Sequence, residues 1–135
     1  MTEASPVLID TNVILDVTEQ DQTWANWSQD QMIHYHGRLI INPLIYTELC
    51  YEAGQIDEVD SLLLALDLRF EDLPRQALFL TSQAYRLYRN RGGTKTSPLP
   101  DFFIGAHAAT LGIPILTRDV THYRTYFPTV DLICP

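Results

Sequence analysis

Four of the seventeen acidic residues stand where an ordinary globular domain has least use for a carboxylate. Asp10 follows the apolar run Val7-Leu8-Ile9, and Asp119 follows Ile115-Leu116-Thr117-Arg118. Asp101 lies just inside a segment opened by Pro100, and Glu48 sits beside Leu49 with Leu44 and Ile45 one turn back. Each has an ordinary explanation when taken singly. Asp10, with Thr11 and Asn12 after it, suits a turn or a helix N-cap. Asp101 suits a helix N-terminus through the dipole alone, worth about 0.3–1 kcal/mol. Asp119 could cap the segment after it, and Glu48 could pair with an arginine. If all four meet, they point to chemistry. Two carboxylates about 4 Å apart repel by roughly 4 kcal/mol at an effective dielectric near 20. A hard divalent cation removes that repulsion, and Mg²⁺ binds through a few carboxylates together with substrate phosphates. Such an ion can activate a water or polarise a phosphoryl oxygen. No Cys/His ligand set accompanies the acids, so Mg²⁺ or Mn²⁺ fits better than Zn²⁺.

The elements that must position these acids are legible from apolar runs and punctuation. Val7-Leu8-Ile9, Leu39-Ile40-Ile41 and Ile115-Leu116-Thr117 are unbroken apolar or β-branched runs, as in parallel strands buried on both faces. Leu68 to Leu73 reads as a more polar edge strand, and Leu132-Ile133 as a fifth strand. Between them lie helical segments. Val13, Ile14 and Val17 share one face of a short helix after Asp10. Asp21 caps a second, with Trp24, Trp27 and Met32 inside and Gly37 at its end. Asn42-Pro43 opens a third, by cap and first-turn proline, ending at Gly54. Asp57 caps a fourth, with Asp60 three positions on and Val59, Leu62, Leu63 and Leu66 as its core stripe. Pro74 opens a long helix with Leu80, Ala84, Leu87 and Tyr88 inside and Gln83, Arg86 and Asn90 outside. Gly92 to Pro98 is a flexible loop, and Pro100-Asp101 starts a helix that Gly112 and Pro114 stop. A short turn covers Tyr123 to Phe127. Strands alternating with helices predict a parallel, three-layer α/β domain. Ligands in such sheets bind outside the carboxyl ends of the strands. With the first and fourth strands adjacent, Asp10 and Asp119 enter one crevice, and the helices of Glu48 and Asp101 start from the same sheet edge.

Composition narrows the classes. The 135 residues are 46% hydrophobic and 19% charged, which fits a globular chain with a core and not a disordered one. No apolar run approaches a membrane span, and the polar segment Met1 to Pro6 has no basic or apolar signal region, so a cytoplasmic protein is expected. Cys50 and Cys134 are expected as buried free thiols in a reducing compartment. A net charge of −8 argues against a general nucleic-acid binder. Yet Arg86, Arg89, Arg91 and Lys95 gather four of the nine basic residues within ten positions. They read either as a solvated helix face running into a loop or as a track for an RNA backbone. His34, His36, His107 and His122, and the Trp24–Trp27 pair, read as structural. His122 is also near enough to Asp119 in sequence to reach a phosphate.

The ordered set of motifs resembles a PIN-domain ribonuclease, and more narrowly a VapC-type toxin. The matching pieces are Ile9-Asp10-Thr11-Asn12, Tyr46-Thr47-Glu48-Leu49, Pro100-Asp101-Phe102-Phe103-Ile104-Gly105-Ala106-His107-Ala108 and Leu116-Thr117-Arg118-Asp119, in the family's order and across nearly the whole chain. Phe102-Phe103 is bulkier than the usual aliphatic pair. The resemblance implies one nuclease domain over residues 1–135, with a five-stranded parallel sheet flanked by helices. It implies that Asp10, Glu48, Asp101 and Asp119 hold Mg²⁺ or Mn²⁺, that Thr117 is the hydroxyl near the last acid, and that Asn12 braces the Asp10 turn. It further implies endonucleolytic cleavage of RNA by metal-activated water, leaving a 5′-phosphate and a 3′-hydroxyl. Homodimerisation and inhibition by a cognate antitoxin belong to the same expectation.

Two rivals carry their own signatures. A haloacid-dehalogenase-type phosphatase needs a second aspartate two positions after the first; Asn12 stands there and cannot transfer a proton, and Lys95 is the only lysine. A degenerate PIN-like domain that binds RNA or a protein partner without cutting would lack one of the acids, and none is lacking.

Overall fold

The computed structural model describes residues 5–135, so most of the polar opening segment lies outside the described residues. In chain order the elements are β1 (Val7–Ile9), α1 (Thr11–Thr18), α2 (Ala25–His34), β2 (Leu39–Ile41), α3 (Pro43–Cys50), α4 (Ile56–Leu66), β3 (Arg69–Phe70), α5 (Arg75–Asn90), α6 (Pro100–Leu111), β4 (Ile115–Leu116), α7 (Thr121–Tyr126) and β5 (Leu132–Ile133). The sheet order is β3-β2-β1-β4-β5, every pair parallel. Leu8 pairs with Ile40 on one side and Ile115 on the other. β1 is therefore central, and every side chain of β1, β2 and β4 is buried, as the unbroken apolar runs require. From β1 the chain winds outward to β2 and β3, then returns to β4 and β5 on the far side. The crevice between β1 and β4 is the switch point of the sheet.

The helices that matter for the crevice begin at its rim. Asn42 ends β2 and caps α3: its Oδ1 accepts from Leu44 N at 3.0 Å and Ile45 N at 3.1 Å. Its amide also meets His107 Nδ1 of α6 at 3.2 Å, with both residues buried. One side chain thus ties together the two helices that carry Glu48 and Asp101. α6 starts at Pro100 and is stopped by Gly112; it is buried nearly all round because α5, α7 and α3 pack against it. Gly105 is forced by that packing, since a Cβ there would stand 2.3 Å from the Phe127 ring. Among the described residues no helix is long and apolar enough to cross a membrane.

Several local expectations need correction. α3 ends at Cys50, four residues before Gly54, once its apolar face is used up. Asp57 lies in the first turn of α4 behind an extended Gln55, and Asp60 receives the Tyr46 hydroxyl at 2.9 Å in place of a capping role. The edge strand shrinks to Arg69–Phe70, because only those residues pair with β2. Asp21 holds Thr23 N and Trp24 N in a turn that leads into α2 at Ala25. The buried face of α5 is Ala77, Thr81 and Ala84, while Leu87 is 48% exposed. Close approach to α6 selects small residues there. Tyr123 to Phe127 is not a bare turn but most of α7 and its C-cap. Both cysteines are free and half-buried.

Candidate active site

Asp10 is the pivot. It leaves β1 in extended conformation and caps α1, Oδ1 accepting from Thr11 N at 2.8 Å. Oδ2 accepts from Thr117 Oγ1 at 3.0 Å, at the end of β4, and from Tyr123 Oη at 2.8 Å, on α7. Only 6% of the residue is exposed. Burial lifts its pKa from 3.8 to about 6; the Tyr123 and Thr117 hydroxyls and the Thr11 amide oppose the rise, and the Asp101 charge adds to it. Tyr123 is itself buried, and burial with the charges of Asp10, Asp101 and Glu48 pushes its phenol far above its ordinary range, so it acts only as a donor.

Glu48 enters from α3 at the rim. Its Oε1 accepts from Thr11 Oγ1 at 2.9 Å, the residue next to Asp10. Partial burial raises its pKa, the Thr11 hydroxyl lowers it, and the Asp101 charge raises it again. Asp101, in the first turn of α6, meets His122 Nδ1 at 3.1 Å. Three of the four expected acids therefore share one field. Asp119 is less engaged. It is exposed, and its Oδ1 accepts from Thr121 N at 3.2 Å. Its backbone N–H reaches Thr117 Oγ1 at 3.1 Å, so its chain position is fixed beside Asp10 even though its carboxylate turns outward. As the side chains stand, no group of three His, Cys, Asp or Glu residues among those described is close enough to hold one metal ion. Like charges turning toward separate donors account for that spacing.

Thr117 and Asn12 brace the crevice. Asn12 Nδ2 donates to Thr117 Oγ1 at 3.2 Å, and Asn12 Oδ1 accepts from Arg118 N at 3.1 Å. The chain after β4 is thus pinned to the start of α1. Reading the sequence alone missed Thr11 and Tyr123 as partners of the acids, and read His122 as structural or as reaching a phosphate, not as a partner of Asp101. Nothing in composition marks a buried tyrosine as an aspartate's donor; the only cue is its position four residues after Asp119, one helical turn on. His122 also packs against Phe102 and Tyr126, with ring centroids 5.4 Å and 6.2 Å away.

The basic stretch divides. Arg89 Nη1 and Tyr85 Oη both donate to Lys95 O at 2.9 Å, while Lys95 N donates to Tyr88 Oη at 3.2 Å. The loop expected to be flexible is stapled to α5, and Gly93 is required because a Cβ there would stand 2.3 Å from the Tyr88 ring. Arg89 is occupied by that staple. Arg91 lies over the Tyr126 ring at 5.4 Å, on the side of the His122–Asp101 pair. Arg86 stays on the outer face of α5, and Lys95 is exposed.

The Asp101 charge bears on both Asp10 and Glu48, the ligand atoms offered are oxygens, and the crevice lies at the sheet's switch point. Comparison with known proteins bears on the fold. No curated protein matches the sequence. Solved structures resemble it in fold: DNA-bound VapBC from Salmonella typhimurium (18% identity, TM-score 0.70, covering 97% of this chain and 98% of that one); VapBC2 from Rickettsia felis bound to a promoter DNA fragment (14%, 0.68, 95% and 97%); and FitAcB from Neisseria gonorrhoeae (18%, 0.65, 94% and 96%). The family model described as PIN domain matches residues 7–128, and on that match, which takes in β1 through α7, the chain belongs to the PIN domain family.

Proposed function

We propose that the chain is a metal-dependent endoribonuclease, the toxin of a type II toxin–antitoxin pair. The observation that carries the nuclease reading is the coupling of Asp10, Glu48 and Asp101. Burial and the neighbouring acid hold Asp10 at about 6, well above an ordinary aspartate. Perturbed acids gathered in a crevice are what a functional site looks like. The donor set fits a hard divalent cation, Mg²⁺ or Mn²⁺, because carboxylate oxygens are what such ions select. Asp10, Glu48 and Asp101 would hold it, with Asp119 reached by rotation of an exposed side chain. When bound, the ion supplies a nucleophilic hydroxide and charge stabilisation at the phosphate.

The residues of the chain do the rest. Thr117 and Tyr123 fix the Asp10 carboxylate in one orientation, and Thr11 fixes Glu48. His122 holds Asp101. Arg91 and Lys95 offer positive charge to the RNA backbone beside an otherwise acidic centre; Arg86 and Arg89 play a smaller part. The toxin reading rests on the fold likeness to VapBC and FitAcB proteins, and it brings a cognate antitoxin as partner. A homodimer, with one nuclease domain per chain and a cytoplasmic location, completes the proposal; exposed Leu78, Phe79 and Leu87 on α5 are in keeping with a covered face.

One observation favours a second reading, an inactive domain that binds RNA or protein: the Asp119 carboxylate faces Thr121 N and not the other acids. Expression in cells separates the two. The intact chain is expected to arrest growth and to leave new 5′-phosphate ends in cellular RNA, both lost in Asp101→Asn. Unchanged RNA with equal growth of both strains would favour the binding domain.

A further inference from the structure

Asp16 is an acid that the proposed metal centre does not use. It lies on α1, is only 4% exposed, and is fully partnered. Arg118 grips it with two bonds, Nε to Oδ2 at 2.5 Å and Nη2 to Oδ1 at 2.8 Å. Ser28 Oγ on α2 donates to the same Oδ2 at 2.6 Å. The Arg118 guanidinium also stacks over the Trp24 ring at 5.3 Å, just ahead of α2. A two-point fork of this kind fixes orientation as well as distance.

The place of Arg118 in the chain gives the fork its meaning. It stands between Thr117, whose hydroxyl orients Asp10, and Asp119, whose carboxylate accepts from Thr121 N. Residues 117–120 belong to no helix or strand. Thr117 is bonded to Asp10, Asn12 Nδ2 and Ile133 O, and the segment beyond it is anchored by Asn12 Oδ1 on Arg118 N, Thr117 Oγ1 on Asp119 N, and the Arg118 fork on Asp16. Of these only the fork reaches deep into the α1–α2 layer.

We propose that Asp16 and Arg118 are positioning residues. Through Arg118, the buried carboxylate of α1 sets the Thr117–Asp119 segment so that Asp10 and Asp119 can serve one divalent cation. The proposal rests on the metal-centre reading above.

The test uses the direction of a charge effect. Removing a cation near an acidic site strengthens cation binding if charge alone matters. If Arg118 positions the segment, its removal weakens binding instead. Mn²⁺ affinity of the metal-free full chain would be measured by electron paramagnetic resonance for the parent, Arg118→Met, Arg118→Lys and Asp101→Asn, with circular dichroism confirming folding. Arg118→Lys keeps a cation beside the buried Asp16 and so remains testable if Arg118→Met fails to fold. The expected result is at least tenfold weaker Mn²⁺ binding in Arg118→Met and a smaller loss, about three- to tenfold, in Arg118→Lys, with helix content unchanged. Mn²⁺ binding as tight as the parent's in the folded variants, or tighter, would overturn the positioning role and leave the metal centre standing. A parent that binds Mn²⁺ no better than Asp101→Asn would overturn both.

Discussion

At the scale of single residues, Asp10 is an acid whose surroundings resist its ionisation. Its folded-state pKa of about 6 lies above the ordinary 3.8 because burial and Asp101 outweigh three hydrogen-bond donors. A carboxyl with a raised folded-state pKa binds its proton more tightly when folded. Its contribution to stability is therefore greatest below about pH 4 and is lost as pH rises through 6. In metal-free protein at pH 7.5 the ionised Asp10 costs about 3 kcal/mol by linkage. Asp10→Asn removes that cost and keeps one oxygen to cap Thr11 N, but it puts an amide nitrogen where Oδ2 accepts from Thr117 and Tyr123, a loss of about 1 kcal/mol. Thermal melts in EDTA should find Asp10→Asn more stable than the parent by about 1–2 kcal/mol at pH 7.5 and no more stable at pH 4. An Asn variant less stable at both pH values would show that the acid is structural. Tyr123→Phe tests the same site from the donor side. Losing the hydroxyl at 2.8 Å should raise the Asp10 pKa further and move the acid limb of the pH–activity profile upward; an unmoved limb would separate Tyr123 from the chemistry.

At the scale of elements, the site is an outcome of where helices start. α3 and α6 were legible because each begins with strong punctuation, Asn42-Pro43 and Pro100, and both follow or precede runs that read only as buried strands. Those signals are local, and they placed Glu48 and Asp101 correctly on their helices. The inner face of α5 was not legible in the same way. Apolar periodicity found the buried Ala84 and the half-buried Leu80 and Tyr88, but it included the exposed Leu87 and missed Ala77 and Thr81, which suit contact with α6 since short side chains let two helices approach. α7 was read as a turn because six residues, THYRTY, carry too short a pattern to show a face. Its buried Tyr123 became visible only when β4 and α6 were in place. The closeness of α6 to α7 makes a specific stability prediction. Gly105→Ala puts a methyl 2.3 Å from the Phe127 ring, so it should destabilise by about 1–3 kcal/mol in denaturant unfolding. No loss would mean that Phe127 yields freely and that α7 is loosely held.

At the scale of the whole molecule, the topology does what no single motif could. The order β3-β2-β1-β4-β5 sets the ends of β1 and β4 side by side, pairing Ile9 with Leu116 from the far end of the chain. The crevice with its acids follows from that adjacency. The sequence suggested the adjacency through alternating strands and helices, but could not give side-chain directions. That is why Asp119 was expected to point inward and instead faces Thr121 N. The net charge of −8 is also a property of the whole, and under the proposed function it leaves RNA to be drawn in by a local patch. Reversing Arg91 and Lys95 to glutamate should weaken RNA binding and lower the slope of log affinity against log salt by about 1–2, since each phosphate contact to a single strand contributes about 0.7. Reversal of Arg86 should change the slope less. Equal slopes for all variants would remove the patch from the RNA path.

The most direct measurement is cleavage of a mixed, structured RNA pool by the purified, antitoxin-free chain, run with Mg²⁺, with Mn²⁺, with EDTA and with Asp101→Asn. Cleavage is expected to require a divalent ion, to leave 5′-phosphate ends and to disappear in the variant. Cleavage that persists in EDTA or in Asp101→Asn, or none at all with either ion, would contradict a catalytic metal centre built on Asp10, Glu48 and Asp101.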